Sequence, residues 1–139
     1  MLRRSIICVT TSKLAFLHCV SGYPTAPEDY NLARIEHLQK EFEALVGLSD
    51  HTISNITANA AVALGASVIE KHFTLDKKLD GPDHKTSLEP EELHKMVTCI
   101  REVERALGSG QKSPSQEEAR NRDIIRKSLV ANKKISAGD

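Results

Sequence analysis

Two histidines stand at matching places in two similar stretches, Gly47-Leu48-Ser49-Asp50-His51 and Val68-Ile69-Glu70-Lys71-His72. Each stretch climbs through apolar residues and ends on an imidazole with an acid beside or near it. Between them an alanine-rich segment, roughly Ser54 to Leu64, reads as a helix closed by Gly65, a residue suited to a left-handed C-terminal cap. Two strands joined by such a helix run parallel, so both histidines sit at carboxyl ends, the edge where α/β folds bind ligands. Alternation along a strand puts Ser49 with His51, and Glu70 with His72, on shared faces. If both faces open into one cavity, two imidazoles converge, and imidazole is the commonest nitrogen ligand for a divalent metal. A site with two protein ligands keeps positions for water and substrate, which suits Lewis-acid chemistry. The alternative, histidines that only satisfy hydrogen bonds at strand ends, stays open on these residues alone.

The elements that must carry these side chains follow an alternating order. Ala15 to Ser21 is a short apolar run that suits a strand buried on both faces. Pro24 and Pro27 keep the segment after it out of a helix and make it a loop at the carboxyl edge. From Asn31, the residues Leu32, Ile35, Leu38 and Phe42 fall at near-helical spacing and predict an amphipathic helix packed on a sheet. Asp76 to Ser87 is polar, contains Gly81-Pro82, and reads as a loop. Pro90 then opens the clearest helix, with Leu93, Met96, Val97, Ile100, Val103 and Leu107 in one stripe and Gly108 as its stop. Lys71 alternates away from Glu70 and His72, toward the surrounding helices. Residues 109–122 lack apolar periodicity and read as a linker, and Ser128 to Asp139 looks like a strand and turn. Three β/α units cannot close a barrel of eight strands. The expected shape is three parallel strands with helices behind them and an edge and a face left apolar, surface of the kind that drives association.

Composition excludes several function classes. The chain has 139 residues, 40% apolar and 27% charged, with 19 basic and 19 acidic residues. That balance offers nothing to nucleic acid or an anionic membrane. The three cysteines, Cys8, Cys19 and Cys99, are an odd number without a CxxC pair and fit buried free thiols in a reducing compartment. The apolar run after Arg3 and Arg4 is too short for a secretory signal, and no stretch approaches a membrane span, so a cytoplasmic protein is expected.

Seven motifs in order and spacing carry a resemblance: LHCVSGYPTAPEDYNL from Leu17, GLSDHT from Gly47, AVALGA from Ala61, IEKHFTLD from Ile69, GPDH from Gly81, SLEPEEL from Ser87 and REVERALGS from Arg101. Together they resemble the sialic acid (N-acetylneuraminate) synthases and their legionaminate, pseudaminate and spore-coat polysaccharide relatives, over about residues 14–139. The resemblance implies condensation of phosphoenolpyruvate with N-acetylmannosamine or a related amino sugar, giving a nonulosonic acid and phosphate. It implies a TIM barrel followed by a small antifreeze-like domain, with homodimers as the family's usual state. Residues 14–108 would be the last three β/α units of that barrel, 109–122 the linker and 123–139 the start of the antifreeze-like domain, with 1–13 an unmatched segment.

Carried over residue by residue, the resemblance implies that His51 and His72 hold a divalent metal, manganese or magnesium. It places Ser21 and Ser49 near the phosphate of phosphoenolpyruvate, although relatives carry asparagine where Ser21 stands. Tyr23 and Asp83 match residues that contact the amino sugar. Glu70, on the face of His72, fits a supporting or acid/base group, and Asp83 is a second candidate for catalysis. Each has a plainer role in competition: Ser49 before a capping Asp50, Tyr23 as a packing anchor beside Pro24, Asp83 as a turn residue after Pro82. His18, His37, His84 and His94 are not expected to be ligands. The lysines that hold phosphate and carboxylate in such enzymes come from early barrel strands, so a non-catalytic remnant that binds metal or pairs with another barrel fragment is the alternative. On either reading the isolated chain is expected to be inactive.

Overall fold

The computed structural model describes residues 14–138; the first thirteen residues, which include Cys8 and the segment without a motif, and Asp139 lie outside the described residues. The chain divides into two compact units, the first ending at Gly108 and the second beginning at Ser109.

The first unit is built on a parallel sheet. β1 (Ala15–Cys19), β2 (Leu45–Asp50) and β3 (Val68–Lys71) lie in that order. The register pairs Cys19 with Ser49 and Ser49 with Glu70. α1 (Arg34–Phe42) follows β1, α2 (Ile56–Ala63) joins β2 to β3, and α3 (Pro90–Leu107) packs on α2. α1 begins three residues later than the apolar spacing suggests, because Asn31 sits in the left-handed region (φ 47°) and forms a turn with Leu32 and Ala33. Gly65, at φ 93°, ends α2, and the Ala66 N–H reaches back to Ala61 O at 2.9 Å.

The core lies on the helix side of the sheet. Ile35, Val46, Leu48, Ala61, Ala66 and Tyr30 are buried together, and full burial of each larger aliphatic stabilises by about 1.5–3 kcal/mol. A second cluster joins Ala58 and Val62 of α2 to Leu88, Met96 and Ile100. The α3 stripe is narrower than expected: Val97 and Leu107 stay exposed, since α3 meets α2 along one seam.

The other face of the sheet is open. Leu17, Cys19, Leu45, Val68 and Glu70 alternate onto it, and Leu45 is 58% and Val68 38% exposed. β1 is therefore only partly buried, contrary to the expectation of a strand covered on both faces, and Cys19 is an exposed free thiol instead of a buried one. Gly47 lets the strands close up here: a Cβ on it would stand 2.3 Å from Val68 O and 2.6 Å from a Leu17 methyl carbon.

The second unit departs most from expectation. The supposed linker holds α4 (Gln116–Ile125), begun by a capping box in which Ser115 Oγ accepts from Glu118 N and the Glu118 carboxylate accepts from Ser115 N. Lys112 donates to Glu118 at 2.7 Å, and with the Ser115 amide this holds the Glu118 carboxyl down at about 2. The helix is mostly polar, with Ile124 and Ile125 adjacent and exposed at its end, so caps and ion pairs take the place of an apolar stripe. Nor is Ser128 onward a strand among the described residues; an extended segment needs a neighbour to pair with. No helix of the described residues is long and apolar enough to cross a membrane.

Candidate active site

β2 and β3 deliver His51 and His72 side by side just past their carboxyl ends, with ring centroids 5.3 Å apart and planes at 80°. The convergence follows from period-two alternation in two parallel strands whose last paired residues, Asp50 and Lys71, stand opposite each other. Tyr23, from the loop after β1, completes the cluster. It stacks on His72 at 4.3 Å and meets His51 edge-on at 5.2 Å.

His51 is held from several sides. Its Nδ1 lies 2.8 Å from Val20 O and 3.2 Å from Gly22 O. Carbonyl oxygens only accept, so the neutral ring carries its proton on Nδ1 and its lone pair on Nε2, the tautomer that binds metal through Nε2. The backbone carbonyl of His51 accepts from Thr25 N at 2.9 Å, and its amide donates to the Tyr30 hydroxyl at 2.6 Å. His72 is anchored through its carbonyl, which accepts from Leu88 N at 2.9 Å, while its Nδ1 lies 3.7 Å from Asp83 Oδ2.

One step down the strands, Ser49 Oγ donates to Glu70 Oε1 at 2.7 Å. Two residues of strand separate this pair from the imidazoles, about 7 Å. The Asp83 carbonyl accepts from Ser87 Oγ at 2.7 Å, and the Tyr23 hydroxyl reaches both Asp83 O (3.4 Å) and Ser87 Oγ (3.3 Å). Thus the loop after β1 and the loop after β3 meet over the histidines. Six of the seven candidate residues, His51, His72, Tyr23, Ser49, Glu70 and Asp83, fall into two adjoining groups. Ser21 is exposed and joins neither by a side-chain hydrogen bond among the described residues; its neighbours Val20 and Gly22 make the link to His51 through their carbonyls.

Behind the site, on the helix side, runs an ion pair that no sequence feature disclosed. Lys71 Nζ lies 2.8 Å from Asp50 Oδ2 and 2.5 Å from Thr52 O, with side-chain exposures of 3% and 0% for the lysine and aspartate. Asp50 Oδ1 accepts from the amide and hydroxyl of Thr52 at 2.9 and 2.8 Å. Asp50 is therefore a strand-end clamp and not a helix cap; the N-cap of α2 is Asn55, which makes no side-chain capping bond. Lys71 points away from the site, as alternation requires. Lys77 is also committed, donating to Glu92 at 2.6 Å and drawing its carboxyl below the ordinary range, with help from the Glu89 amide.

The donor set fits a divalent ion. Two imidazoles, one with its Nε2 lone pair directed by backbone carbonyls, would leave the remaining positions to oxygen ligands. Among the described residues no group of three or more His, Cys, Asp or Glu comes together in metal-binding geometry.

The NeuB family model matches residues 4–112, taking in most of the first thirteen residues, which carry none of the seven motifs. The chain belongs to the NeuB family. It is 47% identical to an N,N'-diacetyllegionaminic acid synthase of Campylobacter jejuni, over 97% of this chain and 41% of that protein. With the N-acetylneuraminate-9-phosphate synthase of Homo sapiens it shares 48% identity over 88% of its length and 34% of the relative's. The crystal structure of an N-acetylneuraminic acid synthetase from Leptospira borgpetersenii superposes with a TM-score of 0.68 at 41% identity, over 82% of this chain and 41% of that one. The chain therefore spans between about a third and two fifths of the length of these relatives.

Proposed function

We propose that this NeuB-family chain forms the metal- and phosphate-facing wall of a nonulosonic acid synthase site, where phosphoenolpyruvate condenses with N-acetylmannosamine or a related amino sugar. The observation that carries the proposal is the pair of imidazoles 5.3 Å apart at the carboxyl ends of adjacent parallel strands. β1, β2 and β3 are taken as consecutive strands of a TIM barrel whose inward face is the open one, and the residues after α4 as leading into a small antifreeze-like domain. The exposed Leu45 and Val68 suit a face that further strands enclose.

In this reading His51 and His72 hold manganese or magnesium, which when bound supplies Lewis-acid polarisation of a carbonyl. Ser49 turns its hydroxyl proton from Glu70 toward a phosphate oxygen, and Ser21 flanks the same group. Glu70, relieved of that hydrogen bond, accepts or returns a proton at the reacting centre. Tyr23 and Asp83, tied to one another across the two loops, orient the amino sugar and exclude water above the imidazoles.

We also infer that the 139-residue chain does not turn over alone. Phosphoenolpyruvate carries two anionic groups, and two lysines near the histidines in sequence, Lys71 and Lys77, are already paired with Asp50 and Glu92. Lys78 and Lys85 are exposed on the loop after β3. Titration of Mn2+ into the chain tests the metal site, and equal binding by wild type and His72→Ala removes His72 from it. Phosphate release from phosphoenolpyruvate with Mn2+ and N-acetylmannosamine tests turnover. Sugar-dependent release that disappears in His51→Ala would overturn the inference of an inactive chain.

A further inference from the structure

We propose that Tyr30 is a positioning residue whose phenol oxygen, set between the Ser49 carbonyl and the His51 amide, fixes where β2 presents both side chains. The proposal rests on His51 and Ser49 being functional groups, as above. β2 pairing ends at Asp50, so the His51 amide lies beyond the ladder. It finds Tyr30 Oη at 2.6 Å, while the same hydroxyl donates to Ser49 O at 2.9 Å. One hydroxyl proton and one accepting lone pair thus bridge the residues on either side of Asp50. Burial, the largest cause, pushes the Tyr30 hydroxyl up to about 12, so it stays a donor near neutral pH.

Tyr30 can act as a reference point because it is itself fixed. It is 1% exposed, and its carbonyl lies 2.6 Å from His18 Nε2 on β1. Its ring meets the His18 ring edge-on at 6.1 Å, and its amide donates to Pro27 O at 3.2 Å. The position of the His51 backbone in turn decides whether Nδ1 reaches Val20 O, and with it the tautomer of the ring.

Tyr30→Phe keeps the ring volume and removes only the bridge. In the 15N-labelled full chain, the variant should exchange the His51 amide about tenfold faster or more. Its His51 ring 15N shifts should move from the Nδ1-protonated pattern toward a mixture, and Mn2+ affinity should fall at least about threefold. Ile35→Val, in the same buried cluster, serves as a control for general loosening; it should lower thermal stability yet leave ring shifts and Mn2+ affinity as in wild type. Unchanged ring shifts in Tyr30→Phe, or the same changes in Ile35→Val, would overturn the proposal. Should the wild type bind no Mn2+, the metal reading fails, and the ring shifts alone decide the role of Tyr30.

Discussion

Replacing Lys71 by Met should be among the most damaging single changes in the chain. The Asp50 carboxylate has no exposed side-chain surface, and Lys71 Nζ at 2.8 Å is the partner of its Oδ2. Removing one member of a buried pair costs about 3–5 kcal/mol, because the other charge is left uncompensated. Oδ1 keeps its two bonds from Thr52, which places the expected loss near the lower end, about 3 kcal/mol. Against a domain stability of about 5–15 kcal/mol that is a large fraction. With a urea slope of about 2 kcal/mol/M, the midpoint should fall by about 1.5 M. Asp50→Asn combined with Lys71→Met removes the stranded charge while an amide oxygen still serves Thr52, so the double variant should recover at least about 1 kcal/mol over Lys71→Met. Urea titrations of wild type, Lys71→Met, Asp50→Asn and the double variant, followed by circular dichroism, supply the four midpoints. A Lys71→Met midpoint within about 0.2 M of wild type, or a double variant as unstable as the sum of its parts, would refute the account of the pair as a coupled clamp.

Two further outcomes follow from features away from the imidazoles. Gly47→Ala forces a methyl against Val68 O at 2.3 Å, backbone that has little room to yield, and should destabilise by about 1–3 kcal/mol in the same titration. α4 should lose helicity as pH falls from about 4.5 to about 2, since the depressed Glu118 carboxyl contributes fully above its unfolded value and is lost on protonation. Residue-resolved NMR across Ser115–Arg126 reads this directly, and Glu118→Gln should abolish the transition.

The strands and the meeting of His51 with His72 were legible because both rest on local rules: apolar runs bounded by turn residues, a helix that forces parallel pairing, and strict alternation. What escaped were contacts between residues far apart in the chain. Nothing in ProGluAspTyr signals that Tyr30 will span the end of β2, and alternation sent Lys71 to the helix side without naming Asp50 as its partner. The open sheet face made Cys19 and β1 look more buried in sequence than they are, since an apolar run carries no record of what covers it. α4 was readable in part: Ser115 and Glu118 form a capping-box spacing, an inconspicuous signal because the helix behind it has no apolar stripe.

Loops at the carboxyl ends of parallel strands are ordinarily where length and composition drift most freely. Here the segment from Val20 to Tyr30 supplies carbonyls to the His51 ring, an amide to its carbonyl and a hydroxyl to its N–H. Inserting or deleting a residue in it would break that correspondence and misdirect an imidazole on a different strand. The turn at residues 76–86, pinned at its base by the pairing of Phe73 with Leu88, carries no such duty toward His51. Sequence change at this edge of the sheet therefore has one loop to work with and one it must leave at constant length.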